Sequence, residues 1–141
     1  MIAVDTNILV YAHRPGVRQH AAARKALVGL AEGHASWGIP VFCLGEFVRV
    51  VTHPRLFDRP FSPDEASEAV ERLLESPSLR LLLPGARFAA LFTAAVREGG
   101  TCGNLVFDAM IAALCREAGV RALLTEDRDF ARFADFPVRR L

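Results

Sequence analysis

Short apolar runs alternate with stretches of helical periodicity from one end of the chain to the other. Ile2-Ala3-Val4 is one such run, too short for a helix and apolar at every position, and it stops at Asp5. Ala35-Ser36-Trp37, Leu79 to Leu83 and Val120 to Thr125 are further strand candidates, and Val138 to Leu141 reads as a last edge strand. Helical patterns fill the intervals: Thr6 to His13, Val17 to Glu32, Pro40 to Val51, Pro63 to Leu74, Ala86 to Glu98, Leu105 to Glu117, and a short one over Asp127 to Phe133. Arg14-Pro15-Gly16, Gly33 and Gly119 supply stops, and Pro40 and Pro63 supply starts. Strands that alternate with helices predict an α/β fold whose parallel sheet is covered on both faces. In such sheets ligands bind outside the carboxyl ends of the strands.

The 141 residues suit a single domain spanning 1–141, long enough to bury a core without staples. At 52% hydrophobic and 23% charged, the chain is globular in composition. Its net charge of +1 excludes a broadly basic coat, so any contact with nucleic acid has to come from local patches. Three cysteines, with no C-x-x-C pair, argue against a disulfide framework or a cysteine zinc site. No run reaches the length of a membrane span, and Asp5 interrupts any signal-peptide core, so a cytoplasmic protein is expected.

Most of the sixteen acids sit on polar helix faces. Five do not. Asp5 follows a buried strand, where it can cap the next helix or face a pocket. Glu46 lies in VFCLGEFVRVV, a helix with almost no polar face, where an unpaired carboxylate costs several kcal/mol. An ion pair with Arg49, one turn on, is the simplest account, and it is compatible with a metal site. Asp108 lies in NLVFDAMIAALC, with Asn104 one turn before it. Asp127 and Asp129 follow the strand ALLT, where either capping or ligation explains Asp127. The fold can bring these acids to one pocket at the carboxyl end of the sheet. Two carboxylates about 4 Å apart repel by roughly 4 kcal/mol at an effective dielectric near 20. Such a cluster needs bound protons or a cation, and oxygen ligands without histidine or cysteine suit Mg2+ or Mn2+.

Four motifs fall in order: D-T-N at 5–7, G-E-F at 45–47, N-x-x-x-D-A at 104–109 and T-E-D-R-D-F at 125–130. Together they resemble the PIN-domain ribonucleases, in particular the VapC-type toxins of bacterial toxin–antitoxin pairs. The resemblance implies a three-layer α/β/α domain with a central parallel sheet of four or five strands. It implies an Mg2+- or Mn2+-dependent endoribonuclease whose acids match Asp5, Glu46, Asp108 and Asp127, with Asp129 as a further ligand candidate. Thr6, Asn7, Asn104 and Thr125 are the neighbouring polar positions that orient ligands. A homodimer and a small VapB-type antitoxin partner are implied as well. The stretch THPRLFDRP, residues 52–60, lies outside the general PIN pattern.

An acidic site that grips RNA needs positive charge at its rim. Glu46, Arg49 and His53 fall at i, i+3 and i+7, so Arg49 and His53 are expected to point at the scissile phosphate, with Arg14 and Arg18 as further RNA contacts. Trp37 and Phe42 could stack a base, though core packing accounts for both. Two other classes compete with a toxin nuclease. One is a PIN-like module that binds RNA or protein without cutting, or a PIN nuclease of RNA processing outside toxin–antitoxin systems. The other is a phospho-aspartate enzyme of the haloacid dehalogenase type, which needs D-x-D; position 7 here is Asn.

Overall fold

A computed structural model describes residues 1–141. Five strands form one fully parallel sheet: β1 (Ile2–Val4), β2 (Trp37–Pro40), β3 (Leu79–Leu82), β4 (Ala122–Leu124) and β5 (Val138–Arg139), in the order β3-β2-β1-β4-β5. Six α-helices flank it: α1 (Thr6–His13), α2 (His20–Ala31), α3 (Val41–Val51), α4 (Pro63–Leu74), α5 (Phe88–Gly99) and α6 (Val106–Glu117). This is the α/β/α arrangement expected from the alternation. None of the helices is long and apolar enough to cross a membrane.

The strand order decides where a site can form. From β1 the chain moves outward to β2 and β3, then returns to place β4 on the other side of β1. The crossovers on the two sides of β1 therefore leave in opposite directions, which opens a crevice at the carboxyl ends of β1 and β4. Asp5 is the first residue past β1, and its N–H still bonds the carbonyl of Leu124 at 3.1 Å. Thr125 is the first residue past β4.

Several boundaries differ from expectation for visible reasons. The second strand is Trp37–Pro40 and not Ala35-Ser36-Trp37; it contains a glycine and a proline, both poor strand formers. Gly38 is needed there, because a Cβ would lie 3.1 Å from the Leu82 side chain on the neighbouring strand. Helix α2 starts at His20, three residues after Val17, and the segment Asp127 to Phe133 holds a 3-10 turn, Arg128–Arg132. A second 3-10 turn, Gly103–Leu105, leads into α6. Gly119, with φ of 63°, ends the α6 segment in the left-handed conformation. Helix α4 opens as its sequence suggests. Pro63 is its first residue, Ser62 Oγ accepts from Glu65 N at 3.1 Å, and Glu65 Oε2 accepts from Ser62 N at 2.8 Å.

Helix α3 is less buried than its sequence implies: only Cys43, Phe47 and Val51 are enclosed, which leaves Glu46 at the edge of solvent. Phe47 anchors this helix. It is fully buried, and His13 meets its ring edge-on at 5.1 Å between centroids. Phe47→Ala should lower the unfolding free energy by about 3–5 kcal/mol, as read from the urea midpoint at unchanged m-value. A loss below about 1 kcal/mol would show that α3 is held elsewhere.

Candidate active site

Asp5 is 4% exposed and both its carboxylate oxygens accept hydrogen bonds. Oδ1 accepts from Thr6 N at 2.7 Å, which caps α1, and Cys43 Sγ lies 3.8 Å away on α3. Oδ2 accepts from Asn7 Nδ2 at 2.8 Å and from the Thr125 hydroxyl at 2.6 Å. Thr125 is fully buried and has every bond it can make: it also accepts from Asn7 Nδ2 and from Asp127 N, both at 2.9 Å. Asn7 Oδ1 completes the ring by accepting from Glu126 N at 3.2 Å. The D-T-N and T-E-D segments, 118 to 120 residues apart, are thereby locked into one polar knot at the crevice.

The remaining acids face this knot from three elements. Glu46 Oε2 accepts from the Thr6 hydroxyl at 2.7 Å, and its Oε1 is 3.4 Å from Arg49 Nη2. That ion pair is open to solvent, with side-chain exposures of 34% and 64%, so it adds little stability. Asp108, in the first turn of α6, stands with Asp127 and Asp129 so that one carboxylate oxygen from each lies within 4.8 Å of the others. Asp127 Oδ1 accepts from Asp129 N at 2.8 Å, and Asp129 Oδ1 pairs with Arg132 at 3.2 Å. A cavity of about 730 Å3 joins Glu46, Arg49, Asn104, Asp108, Asp127 and Asp129. A neighbouring one of about 330 Å3 joins Asp5, Thr6, Asn7, Glu46, Asp108 and Asp127.

Electrostatics carry the mark of this crowding. Burial pushes the Asp5 carboxyl up to about 6, against the bonds from Thr125 and Thr6, and the charges of Glu46 and Asp127 push the same way. Asp108 is pushed up to about 7, first by burial, then by Asp127, Asp5, Asp129 and Glu46. No hydrogen bond opposes that rise at Asp108. Two carboxyls that resist ionisation beside three more acids form a donor set that a divalent cation fits. The oxygens are hard, already close together, and short of positive charge.

The structure thus brings Asp5, Glu46, Asp108, Asp127 and Asp129 to one end of the sheet, and Asp129 joins Asp108 and Asp127 in a group whose carboxylate oxygens lie within 4.8 Å of one another. Thr6, Asn7 and Thr125 bond directly to the acids or to each other, whereas Asn104 lines the larger cavity from the exposed 3-10 turn. Of the expected RNA contacts, Arg49 reaches that cavity. His53 does not, because α3 ends at Val51; its Nδ1 accepts from Arg55 N at 3.2 Å. Arg14 turns to the 52–60 loop, donating to Arg59 O at 2.7 Å and lying 3.9 Å over the Phe57 ring. Arg18 is exposed away from both cavities. Trp37 is core, with its indole N–H on Ser76 Oγ at 3.3 Å, while Phe42 packs on Phe88 and edges the larger cavity. Sequence reasoning missed Tyr11, Leu56 and Phe57, which wall the smaller cavity; only the atypical 52–60 stretch hinted at the last two.

A model of the PIN domain matches residues 2–136. The chain is 41% identical over 133 residues to a VapC ribonuclease of Mycobacterium bovis and to ribonuclease VapC43 of Mycobacterium tuberculosis, covering 94% of this chain and 90% of each relative. It is 32% identical over 135 residues to ribonuclease VapC33 of Mycobacterium tuberculosis, covering 96% of this chain and 94% of that one. Among solved structures, VapBC2 of Rickettsia felis bound to a promoter DNA fragment superposes with a TM-score of 0.72 at 18% identity, over 99% of this chain and 98% of that one. VapC20 of Mycobacterium tuberculosis, a sarcin–ricin loop cleaving toxin, superposes with a TM-score of 0.70 at 22% identity, over 96% of each. At these identities the two structures bear on the fold alone.

Raised carboxyl pKa values have a definite sign in stability. An unfolded chain gives up the protons of Asp5 and Asp108 near the ordinary value of 3.8, while the folded chain keeps them to about 6 and about 7. Across that window the native state binds more protons, so the stability of metal-free protein falls as pH rises from about 4 to 7. Asp108→Asn should flatten the upper part of this fall in denaturation curves taken from pH 5 to 8. An unchanged slope would remove Asp108 as its source.

Proposed function

The chain belongs to the PIN-domain family, and on that premise we propose that it is a metal-dependent endoribonuclease, the toxin of a VapBC-type toxin–antitoxin pair acting in the cytoplasm. The observation that carries the reading is the convergence of Asp5, Glu46, Asp108, Asp127 and Asp129 around one crevice, where burial and neighbouring acids raise the carboxyls of Asp5 and Asp108. Asp108 and Asp127 are the natural direct ligands of one or two Mg2+ or Mn2+ ions, joined by Asp129 and by Asp5 and Glu46, directly or through water. Held by these carboxylates, a divalent ion would supply Lewis-acid polarisation of the phosphoryl oxygen and lower the pKa of water at the site.

The chain's own residues supply the positioning. Thr125, Asn7 and Thr6 N fix both oxygens of Asp5, so this carboxylate keeps its direction as ions and substrate come and go. The Thr6 hydroxyl holds one oxygen of Glu46 and leaves the other shared with Arg49. In this reading Glu46 takes a proton from the attacking water and Arg49 meets the phosphate as it gains charge. No serine or cysteine nucleophile is required; Cys43 and Cys115 are buried, and burial raises their thiols. Near-neutral overall charge suits a protein that recruits RNA through a few rim cations and a metal-loaded cleft. A small VapB-type protein partner and a homodimer belong to this proposal, and the names of the relatives as VapC ribonucleases support the toxin reading they follow from.

Purified, partner-free protein should cut structured RNA in Mn2+ or Mg2+ and stop in EDTA. Asp108→Asn is the cleanest knockout, since Asp108 accepts no hydrogen bond that an amide would disturb, whereas Asp5→Asn puts an NH2 group against donors on both sides. It should lower the cleavage rate by at least about a hundredfold, since even residues that only support metal ligands cost up to that much. Cleavage that survives both EDTA and this substitution would end the reading. RNA binding by metal-loaded protein with no cleavage at all would favour a non-catalytic PIN-like module. Induction in a bacterial host should arrest growth, with rescue by the co-expressed small partner; harmless induction would leave a processing nuclease.

A further inference from the structure

The cavity of about 330 Å3 beside the acids has a second wall that the chemistry above does not use. Besides Asp5, Asp108 and Asp127, its lining includes Tyr11, Val17, Val50, Leu56 and Phe57. The second wall is a built feature. Arg14 clasps the loop between α3 and α4 at three points: its guanidinium lies 3.9 Å over the Phe57 ring and 5.0 Å from the Phe61 ring, and it donates to Arg59 O at 2.7 Å. Contacts of this kind are worth the entropy of ordering a loop only if the loop's position matters. Leu56, just beside Phe57, is left 53% exposed at the cavity mouth. Tyr11 adds a half-buried phenol, a hydrogen-bond donor, to the lining of the same cavity.

We propose that this cavity receives one unpaired nucleobase of the RNA strand, the base adjoining the phosphate held at the acids. The inference rests on the ribonuclease reading above and adds to it the residues that select the cut. A nucleotide presents both matching surfaces within a single repeat: an anionic phosphate for the metal-loaded acids and a flat apolar face for Tyr11, Phe57 and Leu56. Proteins that read single-stranded RNA splay a base out in this way and stack it on aromatic side chains. The cavity's size sits at the small end of ligand pockets, right for one planar ring system and too small for a folded peptide segment. Arg14 then acts as a positioning residue: it holds the wall and does not itself touch the strand.

The test takes an oligonucleotide that the wild-type protein cuts and replaces each base in turn by an abasic ribose. One abasic position next to the scissile phosphate should lower kcat/KM about tenfold, the scale of a lost base–aromatic stack. Phe57→Leu, which keeps apolar bulk and loses the ring, should lower kcat/KM on the intact strand by a similar factor. It should then be indifferent to that one abasic site, while thermal melting confirms the fold. Arg14→Ala should mimic it in part. Independent, multiplicative losses in Phe57→Leu would overturn the base pocket and leave the ribonuclease standing. Wild-type protein that cuts no RNA would sink both. A Phe57→Leu protein that cuts like wild type yet escapes its small protein inhibitor would assign the cavity to that partner and overturn the proposal.

Discussion

Asp5 lies 4% exposed at the carboxyl end of the central strand, a place where an ionised carboxyl without partners costs several kcal/mol. It is retained because every lone pair it directs inward meets a donor: Thr6 N, Asn7 Nδ2 and the Thr125 hydroxyl. That requirement reaches across the fold. Thr125 can donate only if β4 lies beside β1, and Asn7 can bridge Asp5 to Thr125 only if α1 begins immediately after the strand. The strand order, the first helix cap and the entry to the Asp127–Asp129 segment are thus three consequences of satisfying one side chain.

What those bonds leave is a surplus of negative charge. Glu46 arrives from α3, Asp108 from α6, and Asp127 and Asp129 from the segment past β4; Arg49 and Arg132 each answer only one of them. The raised carboxyls of Asp5 and Asp108 express the imbalance in protons. A divalent cation held there would resolve it in the other direction, by taking the place of those protons, and under the proposed ribonuclease function it would give the cleft the positive charge that an RNA phosphate needs.

Much of this was legible in the sequence because it rests on covalently local signals. Strand runs such as Ile2–Val4, helix starts such as Pro63, and acids stranded among apolar neighbours all announce themselves. The differences have a common cause: they depend on contacts between distant residues. Trp37-Gly38-Ile39-Pro40 forms a strand, despite its glycine and proline, because it pairs on both sides with β1 and β3. Glu46 reads as buried in its helix, but α3 turns it toward solvent and the Thr6 hydroxyl. His53 loses its place on the Glu46–Arg49 face because the helix stops two residues earlier. Arg14 looks like an RNA contact in a basic stretch, yet Phe57, 43 positions on, captures it. The same capture gives a physical role to the atypical 52–60 segment.

A divalent cation bound by the acids at the ends of β1 and β4 would be directly visible as manganese. Crystals grown or soaked in Mn2+ should show an anomalous-scattering peak in contact with Asp108 and Asp127, with the Asp5 carboxylate facing it and the Asp5–Thr125 bond retained. A well-diffracting crystal in millimolar Mn2+ that shows no peak among these carboxylates, or shows its only peak elsewhere on the protein, would contradict it.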